Sequence, residues 1–121
     1  MPTWLNERTL YLDLLQVHAY TKRSGTTVFT LCGDIDISNH RQVQDVLLRE
    51  SGNAAHDIIC DLSKVAFIDS SGLRMLISLQ HQAIKNGSTM RINLGENARL
   101  KRLLDLSGLD RVFTLVPAIV A

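Results

Sequence analysis

Two adjacent hydroxyls, Ser70 and Ser71, stand between an acidic residue, Asp69, and a glycine, Gly72, where an apolar run gives way to helical spacing. The chemistry open to such a place is phosphoryl acceptance. The first turn of a helix leaves N–H groups without intrahelical partners, and with the positive end of the helix dipole these receive a phosphate without basic side chains nearby. A serine there also has a plainer use, capping the helix for about 1 kcal/mol, which is its commonest role. Capping accounts for one hydroxyl, and local spacing leaves both readings open. Catalytic groups are not marked: there is no Gly-x-Ser-x-Gly elbow and no Gly-x-x-x-x-Gly-Lys-Ser/Thr loop, and His18, His40, His56 and His81 are scattered without metal-ligand spacing. The expectation is a protein with no catalytic residues, no metal and no cofactor of its own.

The elements that must position Ser70 are legible from period and punctuation. Apolar-rich stretches from Leu10 to Tyr20 and from Val28 to Cys32 flank Lys22-Arg23-Ser24-Gly25-Thr26, a turn composition, and predict a hairpin. From Ser38 the period becomes helical: Val43, Val46 and Leu47 share a face, Ser38 is placed to cap the start, and Gly52 follows the end. Ile58 to Leu62 reads as a central strand, followed by a short loop. Leu73, Leu76, Ile77 and Ile84 then predict a second helix that starts at Ser70-Ser71 and ends at Asn86-Gly87. Met90 to Leu94 alternates like a strand, Ala98 to Leu104 presents a third helical face that stops near Gly108, and Val112 to Val116 is a last strand. Two strands followed by alternating helices and strands imply an α/β fold, a mixed sheet of four to five strands with helical crossovers packed against it.

With 121 residues and 45% hydrophobic content, the chain supports one core. Residues 1–121 are therefore expected to form a single domain, with 1–9 as an N-terminal extension. The formal net charge is +1, and the basic pairs Lys22-Arg23 and Lys101-Arg102 are neither extended nor interleaved with aromatics, so direct nucleic-acid binding is not expected. The opening residues lack the basic-then-apolar order of a signal peptide and no apolar run reaches the roughly 20 residues of a membrane helix, which predicts a cytoplasmic protein. Cys32 and Cys60 lie inside apolar runs without C-x-x-C spacing and read as reduced core thiols, with a regulatory disulfide the weaker alternative.

The segment Asp61 to Leu73, with Asp69-Ser70-Ser71-Gly72-Leu73 as its core, resembles the signature of the STAS domain family, and within it the bacterial anti-anti-sigma factors that are substrates of anti-sigma factor kinases. Gly33-Asp34-Ile35-Asp36 resembles the family's Gly-Glu-Leu-Asp turn before the first helix, and Leu106-Ser107-Gly108-Leu109 resembles the Ser-Gly-Leu that closes the third. The likeness runs from about Val28 to about Phe113. It implies that Ser70 carries the phosphorylated hydroxyl, which leaves Ser71 as the expected capping residue. It further implies a partner-binding surface made of Asp34, Asp36, Asp69, Ser70, Ser71, Gly72 and Arg74, with Asp69 and Asp36 orienting the hydroxyl.

The partners so implied are an anti-sigma factor with serine kinase activity, which the unphosphorylated chain binds to free the sigma factor, and a PP2C-type phosphatase that resets Ser70. A ligand-sensing module for purine nucleotides, or a scaffold of the same fold, is the alternative reading. Two departures stand out. Only Asp110 to Ala121 follows the Ser-Gly-Leu match, so the last helix of well-known members is short or missing, and Trp4, Leu5 and Leu10 are expected to cover the surface it would bury. Arg74 is a cation in the first helical turn, at a position that is small in several known kinase substrates, and is expected to meet the phosphate or the partner.

Overall fold

The structure, a computed structural model, describes residues 4–51 and 57–116, with side chains from Asn6 onward. Six strands form one sheet in sequence order: β1 (Trp4–Leu12), β2 (Leu15–Lys22), β3 (Thr27–Ile35), β4 (Ile58–Ile68), β5 (Met90–Asn93) and β6 (Thr114–Val116). The first three pair antiparallel and the last three follow β3 in parallel. Each parallel step is bridged by a helix: α1 (His40–Ser51), α2 (Ser70–Lys85) and α3 (Ala98–Ser107). The fold is thus a single α/β domain with a mixed sheet, as expected, but the sheet has six strands instead of four to five.

The difference arises at the front of the chain. Leu10 to Tyr20 is two strands, broken at Asp13-Leu14, where Leu14 adopts φ 64°. Neither residue is a glycine or proline, and the turn's one local signal is Asp13. Distant groups hold it. The buried Asn39 donates from Nδ2 to the carbonyls of Asp13 and Asp34, and the N–H of Asp34 donates to the Leu14 carbonyl. Gly33 has φ +126°, and a Cβ there would lie 2.2 Å from that carbonyl oxygen, so only glycine permits the approach.

Strand alternation sorts side chains as the two-residue period requires. In β2, Leu15, Val17 and Ala19 are buried, whereas Gln16 is exposed and His18 and Tyr20 are half-buried. In β3, Phe29 and Leu31 point inward and Cys32 is exposed, which corrects its reading as a core thiol. Cys60 is buried, and burial pushes its thiol up to about 12. In the ladder Cys60 pairs with Phe29 and Cys32 with Lys64, so the two thiols are not cross-strand neighbours; both are free.

One hydrophobic cluster fills the interior, with Leu62, Leu76, Leu79 and Ile92 among its buried side chains. α1 packs on α2 and on β3, and α2 packs on β4 and β5. Leu10 is partly buried against this cluster opposite Val17, on the sheet edge remote from β6; the side chains of Trp4 and Leu5, and residues 117–121, lie outside the described residues. Among the described residues no helix is long and apolar enough to cross a membrane.

Candidate functional site

β4 is longer than its apolar beginning indicates. It continues past Leu62 to Ile68, with register shifts against β3, so no loop separates strand from helix and Asp69 alone forms the junction. The Asp69 backbone is extended, with φ −104° and ψ −175°, and its side chain caps α2: Oδ1 accepts from the Gly72 N–H at 3.0 Å. Oδ2 accepts from the Ile37 N–H at 3.1 Å, in the segment between β3 and α1. One carboxylate therefore satisfies donors from two elements, and the Asp69 N–H donates to the Ile35 carbonyl beside it.

This arrangement corrects two expectations. Ser71 is not the capping residue, because Asp69 takes that role. Nor is Asp69 turned toward the Ser70 hydroxyl, since both of its oxygens accept backbone N–H groups. Ser70 is the first residue of α2, it is exposed, and its hydroxyl has no hydrogen-bond partner among the described residues. Ser71 is half-buried.

Gly72 is buried where α2 crosses the end of β3. A Cβ there would stand 2.6 Å from Ile68 Cγ1, 3.0 Å from Ile35 Cγ2 and 3.1 Å from the Ile35 carbonyl oxygen. The absent side chain is thus what lets α2 start so close to the sheet. Arg74 is exposed, forms no ion pair among the described residues, and lies four residues after Ser70, one turn on along the same face.

Asp36 is engaged locally. Its Oδ1 accepts from the hydroxyl and the N–H of Ser38, and these bonds, the hydroxyl's foremost, hold its carboxyl below the usual carboxylate range. Ser38, expected to cap α1, instead serves Asp36, and Asn39 precedes the helix with its Oδ1 accepting from the Asp36 N–H. Asp34 sits near the end of β3 opposite Phe67, and its carboxylate accepts no hydrogen bond among the described residues. The segments around Asp34-Asp36 and Asp69-Gly72 are thus joined into one surface, through the Asp69 bond to Ile37, with Arg74 at its side.

Three contributors went unread in the sequence. Asn39 organises the turns behind the site, and an asparagine directly before a helical run was the available signal. Ile37 is 72% exposed and Phe67 51% exposed, flanking Asp69 with apolar surface that periodicity assigns to nothing. His56 lies outside the described residues, and among those described no group of three or more His, Cys, Asp or Glu residues could hold a metal ion.

Comparison with known proteins adds a lineage to this geometry. Over 77 residues, 64% of this chain and 70% of the relative, the sequence is 29% identical to an anti-sigma-B factor antagonist of Staphylococcus epidermidis. The crystal structure of an anti-sigma factor antagonist from Mycobacterium paratuberculosis is similar with a TM-score of 0.66 and 25% identity, over 94% of this chain and 88% of that one. The phosphorylated form of the Bacillus cell fate determinant SpoIIAA shares the fold, with a TM-score of 0.57 and 14% identity over 94% and 92% of the two chains. The STAS domain profile matches residues 16–120, a span that holds five of the six strands and all three helices around Asp69 and Ser70, and the chain accordingly belongs to the STAS domain family.

Proposed function

We propose that this chain is an anti-sigma factor antagonist whose docking is governed by phosphorylation of Ser70. In its unphosphorylated form it binds an anti-sigma factor with serine kinase activity in the cytoplasm, and the sigma factor is released. The observation that carries this reading is the division of labour at the start of α2: Asp69 caps the helix with its carboxylate, which leaves the exposed Ser70 hydroxyl unengaged and open to a kinase. The docking surface comprises Asp34, Asp36, Asp69, Ser70, Ser71 and Arg74; Gly72, expected to share it, is buried and instead sets how closely α2 lies on the sheet beneath it. The names of the similar antagonists support the choice of partner.

The kinase supplies ATP, magnesium and catalytic groups, so the antagonist contributes only the attacking hydroxyl and its position. A phosphate adds about 1.5 to 2 negative charges. Beside the Asp69 carboxylate, at about 6 Å and an effective dielectric of about 20, the repulsion is roughly 3 kcal/mol per unit charge before water and salt reduce it. The helix terminus returns about 0.3 to 1 kcal/mol. The isolated fold tolerates this balance because the phosphate remains in water. A closed interface does not, since it would trap unpaired charge, and each 1.4 kcal/mol weakens binding tenfold. The switch therefore acts on association and leaves folding intact. A PP2C-type phosphatase restores the binding form.

The test is a binding and phosphosite experiment with the anti-sigma factor from the native cell. Ser70→Ala retains binding and resists phosphorylation, whereas Ser70→Asp binds poorly. Phosphate mapped to Ser71 alone, or equal binding by Ser70→Asp and the parent chain, overturns the proposal.

A further inference from the structure

Next to the Ser70 surface, a cleft of about 330 Å³ opens between the end of β4 and α3. Val65 and Leu100 form its buried floor, and Phe67 and Leu106 line it while remaining 51% and 76% exposed. Asn97 ties its two walls together. It accepts from the Leu100 N–H with Oδ1, which starts α3, and donates from Nδ2 to the carbonyls of Leu62 and Val65 on β4. Helix and strand are thereby fixed at a set separation, so the cleft exists before anything enters it.

Its charge has one sign. Among the described residues, Arg99 and Arg102 are the only ionisable side chains that line it, both are exposed, and neither has a carboxylate partner. Three residues apart on α3, they project along one flank of an apolar trough. The cleft lies close to the start of α2, because Ile68 lines it and the same side chain is what a Cβ on Gly72 would meet, at 2.6 Å.

We propose that this cleft is a second docking point for the anti-sigma partner, receiving an amphipathic helix whose apolar side chains enter the trough and whose carboxylates meet Arg99 and Arg102. The inference rests on the reading of the chain as an anti-sigma factor antagonist. Charge complementarity selects the occupant: an apolar floor beside two unpaired guanidiniums attracts an acidic amphipathic segment and disfavours a basic one. A second copy of this chain fits less well, since a twofold contact over the cleft brings the arginine pair of one copy toward that of the other.

The experiment uses the full chain, isotopically labelled, and needs no Ser70 chemistry, so its failure is separable from failure of the phosphorylation switch. The probe is an amidated helical peptide of about 14 residues, with leucine on one face and glutamate on the rest, as suits a helix-in-groove contact. Its counterpart replaces glutamate with lysine. The expected result is amide shifts confined to Val65–Ile68 and Asn97–Leu106, with the glutamate peptide binding at least about tenfold more tightly than the lysine one and less tightly as salt rises.

The Arg99→Glu/Arg102→Glu variant, whose substitutions are on exposed side chains and whose fold is checked by circular dichroism, should lose that preference by a similar factor. Equal affinity for the two peptides, no shifts at millimolar peptide, stronger binding of dodecanoate, or concentration-dependent shifts of the chain alone would each overturn the proposal.

Discussion

Replacing Asp69 by alanine tests how the start of α2 is built. The carboxylate accepts from Gly72 at 3.0 Å within its own helix and from Ile37 at 3.1 Å across the sheet end. Loss of an N-cap costs about 0.5 to 2 kcal/mol. A hydrogen bond to a charged acceptor contributes about 1.5 to 3 kcal/mol, and the lower end applies here because Ile37 is exposed and water can replace the oxygen. The expected loss for Asp69→Ala is therefore about 2 to 3 kcal/mol. Asp69→Asn keeps one acceptor oxygen but turns an amide NH2 toward the other backbone donor, and should lose about half as much.

Ser70→Ala and Ser71→Ala should stay within about 0.5 kcal/mol of the parent chain, as substitutions away from such features do. Urea unfolding followed by circular dichroism measures all four, with unchanged slopes confirming that only stability has moved. A shift of under about 0.5 kcal/mol for Asp69→Ala, together with a loss of 1 kcal/mol or more for Ser71→Ala, would refute the capping argument and return the cap to the serine.

Three further outcomes follow from the same geometry. Gly72→Ala gains about 1 kcal/mol of helix propensity but forces a methyl to 2.6 Å from Ile68 Cγ1 and 3.1 Å from the Ile35 carbonyl, so overpacking wins and thermal unfolding should show a lower midpoint. Asp36, depressed chiefly by the Ser38 hydroxyl, supports the fold above its unfolded-state pKa and loses that support as pH falls through its lower folded value; a carboxyl-carbon NMR titration should find it titrating below ordinary aspartate, and Ser38→Ala should move it back up. An aromatic disulfide reagent should label Cys32 quickly in the folded chain and Cys60 only on unfolding, since the first thiol is exposed and the second is buried and held protonated; equal labelling rates would contradict the burial assigned to β4.

The sequence alone determined the layered plan, because that plan is written in local periods. Val43, Val46 and Leu47, the Leu73-Leu76-Ile77-Ile84 spacing, and the Leu100-Leu104 pair mark three amphipathic helices, although in the second it is Met75, Leu76 and Leu79 that are buried and Ile84 that is exposed, and left-handed glycines at Gly87 and Gly108 follow the second and third. It also singled out Asp69-Ser70-Ser71-Gly72, since an acid, two hydroxyls and a glycine at a strand-to-helix junction are adjacent in the chain.

Tertiary structure decided how those groups divide their roles. Asp69 caps α2 through a bond to Gly72 within its own helix, but its second oxygen is engaged only because folding brings up the Ile37 N–H, 32 residues away in sequence. The turn at Asp13-Leu14, and with it a sixth strand, depends on Asn39 and on a close approach at Gly33. Cys32 and Cys60 sit in similar apolar runs, yet alternation and cross-strand register turn one outward and one inward. Periodicity records which face an element hides, but a hydrogen bond between segments far apart in the chain, or a contact that only a missing Cβ allows, exists only once the sheet has brought them together.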